Sequence, residues 1–415
     1  MFNNFKNRNK KLKTISTTAL VLFIILSVVM TIHLCLEYIN LSKNMISSAP
    51  AYVALFRGVF YIPFLSGTFI TYYIFKKKLR REFPELYAKK EAITKDVIIK
   101  RILKVIVITL LVCMFFLIIA PFIAIPIFVN RHVSYSGYVT ENYPMQGIYK
   151  ASDYRLDEKQ MYLETEDGLN IWCTEIYTEK PKAIIIYLSG IVQPSVTYFY
   201  GHAEYMKDKG YASILLEVRG HGQSEGNQIS LGYKETYDVK AVVKYIKSQE
   251  KYVGVPIVVH GVSMGGAVAI NAFGQIDDIN ALIGMSAYST FEEVTMDIAK
   301  QYGVPEFIRK VEKVLVRQAL KMVFGSNAVE EISPIKQIMN TNGRPVLLIS
   351  CTGDKEVPTI NTKRLSNANN NVMTWYRDSW EHFIVKDCDF VNVELDEEYW
   401  EKITNFLETV INNIE

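Results

Sequence analysis

The chain has 415 residues, with 46 Lys and Arg against 43 Asp and Glu and a net charge of +3. So even a balance supplies no basic field for nucleic acid, and five cysteines are too few for a disulfide framework. Neither C-x-x-C nor H-E-x-x-H spacing occurs, so no metal and no cofactor is expected. A hydrophobic share of 49% points instead to membrane segments.

Three long apolar runs occupy the first third. Residues 14–36 and 105–130 carry no charge, and 51–75 carries only Arg57. Each exceeds the ~20 residues that cross a bilayer, so an all-α membrane region of three transmembrane helices is expected over residues 1–130. The first run is longer than the core of a cleaved signal peptide and reads as an uncleaved span. Arg57 lies near one end of its run, where its guanidinium can reach the interface. Basic residues crowd the N-terminal tail and the loop expected from Lys76 to Lys104. By the positive-inside rule both face the cytoplasm, which puts everything after about Arg131 on the outer side. The many Lys, Asn and Ile residues fit a bacterial origin, so the membrane is read as a bacterial cell membrane. Residues 131–159 read as a polar, tyrosine-rich juxtamembrane connector.

From about residue 160 the pattern alternates between strand and helix. Asp167-Gly168 is a hairpin turn between two strand-like runs. Aliphatic runs at 183–188, 212–218, 255–259, 281–285, 345–350 and 372–376 read as buried strands. Amphipathic stretches between them read as helices, 234–248 the clearest. The expectation is an α/β domain over 160–415, with a mostly parallel sheet of the eight-strand type and helices on both faces. Residues 289–338 break the alternation. They are helical in spacing and long for a crossover, so they read as a helical cap.

The chain is organised around Gly261-Val262-Ser263-Met264-Gly265-Gly266, which lies between an aliphatic run and a helix-like stretch. The pattern is that of a nucleophile elbow, in which a strained turn lifts a serine above the sheet. The glycines Gly261 and Gly265 are needed because side chains there would strike the strand or the helix.

A serine nucleophile needs a base and an orienting acid. Of the six histidines, His33 and His132 lie in or beside an apolar run, and His202, His221 and His260 precede the serine; His382 alone follows Asp354. Together with the elbow, two further stretches resemble the α/β-hydrolase superfamily, in its esterase, lipase and serine aminopeptidase branch. These are Cys351-Thr352-Gly353-Asp354-Lys355-Glu356-Val357-Pro358 after a strand, and Trp380-Glu381-His382-Phe383. The resemblance covers residues 160–415 and implies Asp354 as the acid and His382 as the base, in the order Ser263, Asp354, His382. Glu356 is the nearest rival for the acid. The resemblance also implies an oxyanion hole from the backbone N–H groups of Met264 and Ile191. Where the family often has His-Gly, this chain has Ser189-Gly190, and Glu381 stands where a glycine is common. The run Arg219-Gly220-His221-Gly222 resembles a loop with a structural role, and His260 reads as a packed residue at a strand end.

The expected function is a membrane-anchored serine hydrolase that cleaves an ester, thioester or amide through an acyl-enzyme. Its partners would be the membrane and a small acyl substrate, a lipid-derived one included, with no nucleic acid. A small-peptide peptidase and an acyltransferase share this chemistry. The reading from outside enzymology is a catalytically silent binding module.

Overall fold

The structure, a computed structural model, describes residues 10–27, 62–84, 118–134, 145, 147–390 and 392–412. The chain divides into two compact units, Met1–Leu117 and Ile118–Glu415.

In the first unit residues 10–27 are helical (α1), and a second helix, α2, runs Ile62–Glu82. Leu12, Leu79 and Phe83 are buried together, with Phe75 packed against them. Helix α2 continues through Lys76, Lys77, Lys78, Arg80 and Arg81, which the sequence reading assigned to a loop. Lys and Arg are good helix formers, so charge alone does not end a helix. Among the described residues, no helix is long and apolar enough to cross a membrane. Of the expected spans, residues 28–36, 51–61 and 105–117 lie outside the described residues.

The second unit begins with helical residues 118–129 (α3). Its compact boundary therefore falls ahead of both the 131 and the 160 expected from composition. The reason is burial: Ile125 is 6% exposed and Val129 0%, both within the core of this unit. Arg131 stacks over Phe128, and Val133 pairs with His221 in a short bridge.

The sheet has eight strands in the order β1-β2-β4-β3-β5-β6-β7-β8. They are β1 Lys159–Glu164, β2 Asn170–Ile176, β3 Ile184–Leu188, β4 Ala212–Leu216, β5 Ile257–Val262, β6 Ala281–Met285, β7 Val346–Cys351 and β8 Val372–Arg377. The first hairpin is antiparallel, β2 meets β4 antiparallel, and β3 to β8 run parallel. Side chains alternate across the sheet into two cores. Ile184, Ile186 and Leu188 enter one, Ile185 and Tyr187 the other. Because both faces are covered, these strands read as continuous apolar runs rather than alternating ones.

Helices α4 Tyr200–Asp208, α5 Thr236–Ser248 and α6 Met264–Gln275 follow β3, β4 and β5. Between β6 and β7 lies the expected insertion, made of α7 Phe291–Gln301, α8 Glu306–Phe324, α9 Ser326–Glu331 and α10 Pro334–Gln337. Thr290 caps α7 by accepting from the Glu293 N–H. Helices α11 Ile360–Ala368 and α12 Glu397–Asn412 complete the unit. The ring contact between Phe128 and Phe291, 6.3 Å between centroids, sets α3 beside the start of this insertion.

Candidate active site

Ser263 sits between β5 and α6 with φ 57° and ψ −120°. A non-glycine residue there is strained, and the surroundings must hold it. Its N–H donates to the Met285 carbonyl at 2.8 Å, and its carbonyl accepts from Ala267 at 3.1 Å. The neighbouring glycines are sterically required. A Cβ on Gly261 would lie 2.1 Å from the Gly265 oxygen, and one on Gly265 would lie 2.4 Å from the Ser189 oxygen. Strand and helix thus cross at backbone contact, which turns the serine out of the sheet.

Asp354 follows β7 and His382 follows β8. His382 Nδ1 lies 2.8 Å from Asp354 Oδ2. The other carboxylate oxygen accepts from the N–H groups of Glu356 at 2.8 Å and Val357 at 2.9 Å. These bonds fix the acid's orientation and separate it from its rival, since Glu356 contributes its backbone rather than its carboxylate. The two loops touch: the Gly353 N–H donates to the Ser379 oxygen at 2.8 Å, and a Cβ on Gly353 would lie 3.0 Å from that oxygen. Arg377 reaches the Ile384 carbonyl at 2.9 Å while pairing with Asp396, so it braces the histidine loop. Glu381, at the position where a glycine is common, accepts from the Asp387 N–H at 3.2 Å and closes that loop.

Burial pulls the His382 imidazole down, but the Asp354 and Glu356 carboxylates beside it outweigh burial and push it up to about 9. Burial raises the Glu356 carboxyl above its ordinary range. His260 is the opposite case. Buried among Tyr187, Phe199 and His202, it is pushed down to about 3 and stays neutral. It is a packed residue, as expected, and lies within β5 rather than at its end.

Among the described residues no hydrogen bond joins Ser263 to His382. The link runs instead through Ser286, which the sequence reading missed. Ser286 directly follows Met285, the acceptor of the Ser263 N–H. Its hydroxyl lies 2.6 Å from the His382 carbonyl oxygen and 3.0 Å from Asp354 Oδ2. Its φ of 46° is a second strained serine conformation at the same end of the sheet. The only signal in sequence was its position directly after a buried strand.

The loop after β3 lies against the elbow. Gly190 faces Ser263 closely enough that an added Cβ would lie 3.4 Å from the serine Cβ. The same atom would lie 2.2 Å from Gln193 Oε1, the end of a side chain that would have to shift to admit it. Met264 is the first residue of α6, so its N–H has no partner within the helix. Among the described residues the Ile191 N–H donates to no backbone acceptor. A cavity of about 390 Å³ opens beside the far end of this loop, bordered by Glu158, Ser195, Tyr200 and Glu217; neither Ser263 nor His382 borders it. No cluster of metal-ligating side chains is found among the described residues.

Sheet order, elbow and loop placement define the class of fold, that of the α/β-hydrolases. Residues 179–337 match the family described as serine aminopeptidase, S33. A curated relative, the uncharacterized protein YqkD of Bacillus subtilis (strain 168), is 27% identical over 161 residues; the match covers 38% of this chain and 51% of that protein. The chain thus spans about half the length of that relative. Among solved structures, an esterase of Pyrococcus furiosus is similar at 22% identity and a TM-score of 0.50, over 63% of this chain and 95% of that one. An acylaminoacyl peptidase of Pyrococcus horikoshii is similar at 17% identity and a TM-score of 0.47, over 61% of this chain and 42% of that one.

Proposed function

We propose that the protein is a membrane-anchored serine hydrolase that cleaves an ester, thioester or amide through an acyl-enzyme. The observation that carries this is the strained Ser263 at the head of α6, with the bonded Asp354–His382 pair at the ends of β7 and β8. In this reading His382 Nε2 takes the Ser263 hydroxyl proton as Oγ attacks the carbonyl. Asp354 holds the Nδ1–H and stabilises the imidazolium. The N–H groups of Met264 and Ile191 stabilise the tetrahedral oxyanion. The imidazolium protonates the leaving group, and a water deprotonated by His382 then releases the acid and restores the serine.

An ester with a lipid-like acyl chain is favoured by an apolar stripe on the insertion. Phe307, Val311, Val314 and Met322 lie on one face of α8 and are 55–75% exposed. The anchor reading rests on the uncharged runs in the first 130 residues and on the lysine and arginine asymmetry, which places the tail in the cytoplasm and the hydrolase domain outside. A phosphatase active only outside the cytoplasm, fused to the C-terminus, tests this placement; an inactive fusion beside an active cytoplasmic reporter overturns it.

A fluorophosphonate probe tests the chemistry. Labelling of the intact chain that vanishes in Ser263→Ala supports the enzyme. No labelling, or equal labelling of the variant, favours a silent binding module. The serine aminopeptidase match supports a second reading, hydrolysis of small peptides. Parallel assays on p-nitrophenyl esters and aminoacyl naphthylamides separate the two.

A further inference from the structure

We propose that His221 is a positioning residue for the oxyanion hole, and that residues 131–134 form a strap that holds it in place. The inference rests on the hydrolase reading above and extends it to a residue upstream of the elbow.

His221 is fully buried, and both ring nitrogens face carbonyl oxygens. Nε2 lies 2.8 Å from the oxygen of Ile191, and Nδ1 lies 3.1 Å from that of Arg219. A neutral imidazole has one N–H to give, and burial lowers the His221 pKa, which favours that neutral form. In this proposal the proton sits on Nε2, at the shorter contact, and is donated to the Ile191 carbonyl. Ile191 is the residue whose N–H completes the oxyanion hole. Gly190 on one side of it is held against Ser263. With its own carbonyl pinned on the other side, the Ile191 N–H has little freedom to turn away. The far end of the loop is tied too: Ser195 Oγ donates to Glu217 Oε1 at 2.6 Å, and Glu217 Oε2 accepts the Gln223 N–H at 2.6 Å.

The strap supplies the other half. The Val133 N–H donates to the Gly220 carbonyl at 2.7 Å, and the Val133 carbonyl accepts from the Gly222 N–H at 2.9 Å. One residue thus clamps the backbone on both sides of His221. The adjacent His132 faces the Gly226 oxygen at 2.8 Å and the Gly222 oxygen at 2.9 Å. Gly220, with φ 71°, packs where an added Cβ would lie 2.9 Å from the Gln228 oxygen and 3.5 Å from the Arg131 oxygen. The strap continues directly from α3, whose Val129 carbonyl accepts from the Ile229 N–H at 2.8 Å. A continuous path therefore runs from the helix that opens the unit, through Val133 and His221, to the loop that lies against the serine.

The test is steady-state hydrolysis of a short p-nitrophenyl ester by the full chain, with active sites counted by fluorophosphonate titration. His221→Phe keeps the volume and removes the donor, and His221→Gln restores an N–H. His221→Phe is expected to lower kcat per titrated site about 10- to 100-fold with KM within about twofold, because the donor acts on the transition state. The inhibition constant of a trifluoromethyl ketone, which mimics the oxyanion, is expected to rise in parallel, and His221→Gln to recover most of the loss. Val133→Pro, which deletes the strap's donor, is expected to shift kcat and the inhibition constant in the same direction. An unchanged kcat per titrated site in His221→Phe overturns the proposal, as does a loss that leaves ketone affinity untouched. If His221→Phe does not fold, Val133→Pro and His132→Ala decide it, and wild-type kcat in both overturns it. A wild-type chain that does not label removes the hydrolase reading and this inference with it. Labelling with unperturbed kinetics in the variants removes the inference alone.

Discussion

The Ser286 hydroxyl lies 2.6 Å from the carbonyl oxygen of His382, so a residue at the end of β6 holds the backbone of the proposed base. The same hydroxyl is 3.0 Å from Asp354 Oδ2, and the preceding carbonyl anchors the Ser263 N–H. Ser286 is the point where all three loops meet. Ser286→Ala removes both contacts without adding bulk. Its kcat is expected to fall about 10- to 100-fold through misplacement of the imidazole. Fluorophosphonate labelling should persist at a slower rate, and a labelling rate equal to wild type would show that the hydroxyl is dispensable.

The pH profile follows from His382. Its base form is required for attack, and its pKa is pushed up to about 9, so activity should climb through the alkaline range rather than near 6.5. Glu356→Gln removes one of the two carboxylates that raise it, and the acid limb should move to lower pH. The same linkage acts on stability with the opposite sign. A folded-state pKa above the unfolded value stabilises the fold below pH 6.5 and loses that contribution as pH rises through about 9. Melting temperatures across pH 6–10 in wild type and Glu356→Gln check this, and identical slopes would contradict it.

Gly265→Ala should damage the fold before it damages chemistry. The added Cβ would meet the backbone oxygens of Ser189 and Leu188 at 2.4 and 2.5 Å, and backbone cannot step aside as a side chain can. Overpacking at a buried site typically costs about 1–3 kcal/mol, and with backbone on the far side a loss at or above the upper end of that range is expected. Urea denaturation measures it. A midpoint equal to wild type would mean that the elbow and the loop after β3 separate readily.

The exposed stripe of α8 offers a test of substrate. Replacing Phe307, Val311 and Val314 together by Ser should leave turnover of a soluble ester within about twofold, since these side chains are outside the core. Turnover of a long-chain ester dispersed in phospholipid vesicles should fall. Equal loss on both substrates would show that the stripe serves the fold and not the encounter with lipid.

The strands and the elbow could be read from sequence because their signals are local. Six aliphatic runs bounded by turn residues became β3 to β8, and a serine between two glycines had one steric explanation. Asp354 and His382 were implied by the resemblance of their stretches and by their order along the chain, and the structure brings the two side chains to 2.8 Å. Ser286 and Val133 were not readable in this way. A lone serine after a strand has no pattern. The strap is too short to show periodicity, and its partners lie 87 to 94 positions away along the chain. The continuation of α2 through its basic residues was hidden because charge was read as a loop signal, although Lys and Arg favour helix. The start of the second compact unit was hidden for the converse reason, since the apolar residues of α3 are continuous in sequence with the run before them.

That last feature governs how the domain can be cut free. A chain begun at residue 131 or 160, where polarity first rises, would lack Ile125 and Val129 and expose the pocket they fill. It would also lose the Val129 carbonyl that receives Ile229. Such a fragment should aggregate, whereas one begun at or before Ile118 keeps the buried plug. The stretch that looks like the end of a tether is a working part of the globule it leads into.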